Sequence, residues 1–395
     1  MEKHKCPEVR FNGFSEDWEL SNFLDNIRSI IDFRGRTPKK LGMDWSKNGY
    51  LALSALNVKN GYIDPSIDAH YGDEKLYQKW MSGNELRKGQ VLFTTEAPMG
   101  NVAQVPDETG YILSQRTIAF NTEKNKISDN FLAVLLGSPN VFNRLSELCS
   151  GGTAKGVSQK SLSTLEVIFP TELNEQECIG NFFQNLDQSI ALHEKKLART
   201  QNLKKAMLEK MFPKAESNKQ PEIRLKGFSG DWEQRKLGDI LKIKSGMSQK
   251  EIEVEKGRYP ILATGGEIGR TDTPLYTKES VLIGRKGTID KPYYMNSPFW
   301  TVDTLFYSEI NESNFAYFIY VLFQKINWRN YNTSTGVPSL TSSTIHDIEV
   351  QIPGYHEQKT IAHFFRQLDE TFVLQQQQLQ TLKNLKQAFL EKMFV

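Results

Sequence analysis

The sequence predicts an α+β protein with a pseudo-twofold internal repeat: two α/β globules joined by two long antiparallel helices that pair as a coiled coil. Three observations lead there. Residues 174–212 return at residues 356–394 and match at 18 of 39 positions without a gap. The leader PEVRFNGFSEDWE at 7–19 returns as PEIRLKGFSGDWE at 221–233, identical at nine of thirteen positions. After each leader comes a block that differs from its counterpart yet shares its grammar of short strand-like runs broken by Gly and Pro.

Both copies of the 39-residue stretch read as one long helix, because apolar residues fall at helical spacing. The first carries Ile179, Phe183, Leu186, Ile190, Leu197, Leu203, Met207 and Met211. The second carries Ile361, Phe365, Leu368, Phe372, Leu379, Leu385, Phe389 and Met393 at matching offsets, and Leu382 besides. Steps alternating between three and four residues make a seam suited to coiled-coil pairing. So narrow a stripe on so polar a helix needs a partner, and the duplication supplies one. Pro170 and Pro353 stand just ahead of the two helices, where proline is tolerated.

The first variable block, from about Leu20 to Cys149, holds QVLFTT, NVAQV and RTIAF. The second, from about Gln234 to Asn332, holds YPILATGG, SVLIGRKGTI and WTVDTLFY. Each closes on a Gly/Ser/Thr loop and a short strand. The expected organisation is therefore 1–150, leader and first block; 151–213, loop and long helix; 214–332, polar linker, repeated leader and second block; 333–395, second loop and helix. Two like units joined head to tail can sit about a pseudo-twofold axis.

At 395 residues the chain is long enough for two or more cores. Its net charge of +2 means that any nucleic-acid surface must come from local clustering. Three scattered cysteines form no disulfide framework or zinc knuckle. No signal peptide and no run of eighteen apolar residues is present, so a reduced cytoplasmic protein without membrane contact is expected. Catalytic signatures are lacking: there is no GxxxxGK[ST], HExxH, GxSxG or paired CxxC. ATGGEIG at 263–269 lacks GxGxxG spacing and reads as a turn. No metal site is expected.

What remains is binding. Arg34, Arg36, Lys39 and Lys40 crowd a loop with Gly35 and Pro38, and Arg285 and Lys286 lie between two glycines. Arg116 and Arg270 complete the candidate set. Arg and Lys reach phosphates or guanine edges, and glycine lets the backbone approach closely. The bland alternative is solvated loop charge. The hydroxyl-rich loops at 153–161 and 333–342 offer donors of the kind that hold phosphates, or else simply end a strand.

The Gly-hydroxyl loop, strand, Pro, then EQ..I..FF..LD and L..LK...LEKMF, present twice around two unlike blocks, resembles the specificity subunit of type I restriction–modification systems. The resemblance covers essentially the whole chain. It implies a non-catalytic subunit whose blocks are target recognition domains, each reading half of a bipartite, asymmetric site in double-stranded DNA. The helices would set the spacing and dock two methyltransferase subunits. Those partners would bind S-adenosylmethionine and methylate adenine, and restriction subunits would use ATP and Mg; no cofactor is expected on this chain. Two other readings are a coiled-coil adaptor binding only proteins and an enzyme hidden in a variable block.

Overall fold

The computed structural model describes residues 6–149, 156–214 and 219–394. They form two compact units, one reaching Glu194 and resuming at Gln378, the other running from Lys195 to Gln377. Both dividing points fall inside the long helices, Leu173–Lys210 and Tyr355–Lys392, each 38 residues. Each unit thus combines one variable block with half of each helix.

In the first unit an antiparallel sheet has the order Ile27–Asp32, Thr117–Thr122, Val91–Thr94, Val102–Gln104. Its side chains alternate between two cores. Val91, Phe93, Ile118 and Phe120 join the core that also holds Trp18, Phe131 and Phe183. Leu92, Ala103 and Ala119 point into a second core with Leu53, Trp80 and Ile112. Because both faces are covered, Val91–Thr94 and the start of Thr117–Thr122 are buried residue after residue rather than alternating. A smaller sheet of Tyr71–Gly72, Tyr50–Leu53 and Tyr111–Leu113 supplies the second core.

The second unit repeats the plan: Leu241–Ser245, Leu305–Ile310, Ser280–Gly284, Tyr293–Met295, with Gly266–Thr271, Tyr259–Ala263 and Trp300–Thr301 as the smaller sheet. ATGGEIG spans the hairpin turn at Thr264 and Gly265 and runs on into the next strand. Val281 and Ile283 face one core, and Leu282 faces another.

The repeated residues clamp blocks to helices. Arg10 of the leader makes a bidentate pair with the buried Glu175, at 2.6 and 2.7 Å. Arg224 and Glu357 repeat it at 2.8 and 2.7 Å. The adjacent Gln176 donates to the Pro170 carbonyl and accepts from Ser128 N–H; Gln358 does the same with Pro353 and Phe315. The Val9 amide donates to the Lys392 carbonyl, and Ile223 to that of Lys210, so each leader satisfies a helix-end carbonyl.

Within each unit the helices pair antiparallel. In the first, Phe182 meets Phe389 edge-on, Phe183 meets Phe394, and Asp187 accepts from Lys386 at 2.5 Å. In the second, Phe365 meets Phe212, and Lys204 is bonded to Asp369. Ile179, Phe183, Ile361 and Phe365 are buried, while Leu186, Ile190, Leu197, Met207, Leu368, Phe372, Leu379 and Phe389 are half-buried. Two seam expectations fail: Leu203 and Leu385 are 45% and 44% exposed. A strict alternation of three and four puts Lys204 and Lys386 at those seam places. Each lysine lays its stem along the interface and carries its charge to an aspartate on the other helix. Leu390 instead joins the buried set.

Candidate nucleic-acid interface

Sheet register gathers the candidate loops. Asp32 lies opposite Ile118, and Thr94 opposite Thr117, so the segments after Asp32, after Thr94 and before Thr117 leave the sheet at one end. Val157 N–H donates to the Thr95 carbonyl, bringing the described part of the first hydroxyl loop to the same place. Thr153 to Lys155 lie outside the described residues. In the second unit Ser245 faces Phe306 and Gly284 faces Leu305. There Leu340 N–H donates to the Arg285 carbonyl and Gly287 N–H to that of Pro338, joining the second hydroxyl loop to the Arg285–Lys286 turn. Gly284 admits no side chain, since a Cβ would lie 2.1 Å from the Thr288 carbonyl oxygen.

The candidate cations differ in what they have left to offer. Arg34 pairs with Asp32 and donates to the Val157 carbonyl at 3.2 Å. The Arg36 guanidinium lies 4.2 Å over the Phe33 ring and donates to the Trp80 carbonyl. Lys40 donates to Gly35 at 2.6 Å, and Arg116 pairs with Glu96 at 2.8 Å. Arg270 sits on the smaller sheet of its unit, donating to Gly257 and pairing with Glu267. Arg285 lies 5.9 Å from the Phe306 ring. Lys39 and Lys286 are exposed. The hydroxyl loops do local work as well: Ser158 caps the helix Gln159–Ser163, and Thr341 caps Ser342–His346.

Other residues of these surfaces escaped the sequence reading. Val337 is 65% exposed in the second hydroxyl loop, next to the Lys286–Ser339 bridge, and Met247 is exposed after Ser245. In the first unit Arg36, Lys39 and Arg116 line a cleft of about 420 Å³ together with Trp45, Asp68 and His70. Charge and glycine content flagged the basic loop; nothing local marks the aromatic and acidic members, which come from separate segments. The arrangement in each unit is a set of short loops at one end of a sheet, with cations beside an aromatic cleft in the first and exposed apolar residues in the second. That suits contacts to phosphates and base edges. Among the described residues no group of three or more His, Cys, Asp or Glu is placed to hold a metal, and no helix is long and apolar enough to cross a membrane.

Comparison with known proteins gives this geometry a family. The model of the type I restriction modification DNA specificity domain matches twice, at residues 15–202 and 229–384. The chain is 24% identical over 373 residues to the type I restriction enzyme MjaIX specificity subunit of Methanocaldococcus jannaschii, covering 84% of this chain and 85% of that one. It is 23% identical over 403 residues to the putative MjaX specificity subunit of the same organism, covering 95% and 92%. Its fold matches the crystal structure of a type I restriction–modification S subunit from M. genitalium with a TM-score of 0.72, at 18% identity and 99% coverage of both chains. Two matched domains and two blocks of unlike loops on one repeated frame agree: the chain belongs to the type I restriction–modification specificity subunits, and its role is recognition of DNA sequence.

Proposed function

We propose that each unit reads one half of a bipartite, asymmetric DNA site and that the paired helices set the spacing between the halves. The observation that carries this is the combination of a duplicated clamp, Arg10–Glu175 and Arg224–Glu357, with variable blocks that differ in sequence. One frame held twice would present two different readers. The chain itself performs no chemistry in this reading. Two methyltransferase subunits bind S-adenosylmethionine and modify the DNA, and restriction subunits use ATP and Mg, all in the cytoplasm. Repeat-related exposed leucines support two docking sites of one kind: Leu192 and Leu385 in the first unit, Leu374 and Leu203 in the second. An apolar residue exposed on a helix at matching places in both repeats suits two copies of one partner.

The test is exchange of residues 20–149 for the equivalent block of a related specificity subunit, followed by methylation mapping in the complete complex. One half-site should change and the other stay. Alteration of both halves would show that the blocks are not separate readers, and an unaltered site would favour an adaptor that binds only proteins.

A further inference from the structure

The cleft in the first unit has the makings of a nucleotide site. Trp45 forms its aromatic wall, 5.7 Å from the buried Trp80 and 5.6 Å from His70. Trp80 is anchored by donating its indole N–H to the Leu113 carbonyl at 2.9 Å, so the wall rests on a fixed support. Also lining the cleft, the Asp68 carboxylate accepts from Ser54 Oγ at 2.6 Å and lies 3.4 Å from His70 Nδ1. Asp68, Ala97 and Arg116 all have left-handed backbone, with φ of 50°, 52° and 64°. Three non-glycine residues held that way on one cleft suggest a surface shaped for a ligand. Lys39 and Arg116 stand among its lining residues.

These parts discriminate among ligands. A groove for the sugar-phosphate backbone would be cationic throughout, but Asp44 and Asp68 line this one. A planar ring against Trp45, an amino group toward Asp68 and a phosphate toward Lys39 and toward Arg116, which now pairs with Glu96, would match these groups. Bases of every kind stack on aromatic side chains. Carboxylates accept from the exocyclic amino group of cytosine and its relatives. We propose that this cleft binds a single nucleotide whose base carries an exocyclic amino group, unstacked from the duplex read by the first unit. The proposal rests on the DNA-reading function above. It concerns a base held by this chain, distinct from any base modified by a partner subunit. A free mononucleotide has the same chemistry and is the second source to be separated.

The experiment uses the full-length chain with its methyltransferase subunits and the half-site found by methylation mapping. An abasic position is placed opposite each adenine, cytosine and guanine in turn, and the dissociation constant is measured. Where a base is extruded, removing its partner prepays the unpairing, so binding should tighten by at least about tenfold at one position besides the methylated adenine. Trp45→Ala should abolish that tightening, whereas Trp45→Phe, which keeps a stacking face, should retain it. In parallel, AMP, CMP and GMP are titrated onto the full chain while tryptophan fluorescence is followed. Saturable, Trp45-dependent quenching without any Trp45-dependent tightening on DNA would assign the cleft to free mononucleotides. If no tightening depends on Trp45 and none of the three mononucleotides binds, the proposal is overturned. A chain that binds no duplex would remove the DNA-reading function, while the mononucleotide arm would still decide the cleft.

Discussion

Arg36 donates to the Trp80 carbonyl and covers the Phe33 ring, so its charge is engaged before any ligand arrives. Arg36→Ala should cost the first unit about 1–2 kcal/mol through the lost bond and cation–π contact. Lys39 is exposed on the same loop, and Lys39→Ala should leave stability within about 0.5 kcal/mol. If Lys39 meets a phosphate, its loss should weaken binding to all duplexes alike and lower the salt slope by about one. Urea denaturation and salt titration of the two variants separate the roles; a stable Arg36→Ala chain or a salt slope unmoved by Lys39→Ala would reverse them. Lys325 gives a pH signature in the second unit. Burial and then Lys214 push its ammonium down to about 8, although it donates to the Pro213 carbonyl at 2.7 Å. Its ordinary value of 10.5 applies in the unfolded chain. Between the two the unfolded state binds more protons, so stability should rise with pH across that window. Below about 8 both states are charged and the burial penalty is complete. Lys325→Met should flatten the rise in stability measured by denaturation between pH 8 and 10, and an unchanged slope would place that ammonium in water.

The long helices rest on a small set of buried contacts near their ends, and the seam correction can be tested there. Leu390 is buried beside Trp18 and Phe183, whereas Leu385 stands out from the helix. Leu390→Ala should cost about 2–5 kcal/mol of unfolding free energy. Leu385→Ala should cost less than about 0.5 kcal/mol. Equal costs in denaturation would restore Leu385 to the seam. The helices themselves were legible because their period persists for 38 residues in two copies and prolines precede both. Their seam was legible only where apolar type and helical phase coincide. At Leu203 and Leu385 the phase chose lysine, whose stem packs as a hydrocarbon while its charge reaches Asp369 or Asp187. The clamps were present in the sequence as PE.R in each leader and EQ in each helix, but a pairing across 165 residues has no local signature. The cleft was hidden for the same reason, since Trp45, Asp68, Trp80 and Arg116 meet only after two sheets have formed. The basic loop was legible as composition; that most of its charge is used internally was not.

At the scale of the whole molecule, both helices contribute to the helix pairing in each unit. The first unit holds Asp187–Lys386 and Glu194–Lys383, and the second holds Lys204–Asp369. If the helices act as a ruler, it cannot be lengthened through one helix alone, because extra residues would slide Lys204 away from Asp369. Lengthening should work when seven residues enter each helix, between Glu194 and Lys204 in the first and between Asp369 and Lys383 in the second. Seven residues restore the phase of the three–four alternation, so the apolar and lysine places on either side still face their partners. The addition is about 10 Å of paired helix at ~1.5 Å per residue. At ~3.4 Å per base step along DNA, the unspecified spacer should grow by at most about three base pairs. Both half-site sequences should stay the same, since no loop of either block is touched. Two residues in each helix should fail, because the apolar stripe turns by about 200° and the seam is lost. Methylation mapping of the seven-residue variant in its complete complex reads the spacer directly. An active complex with an unchanged spacer would mean that the helices tether the two readers without measuring the distance between their half-sites.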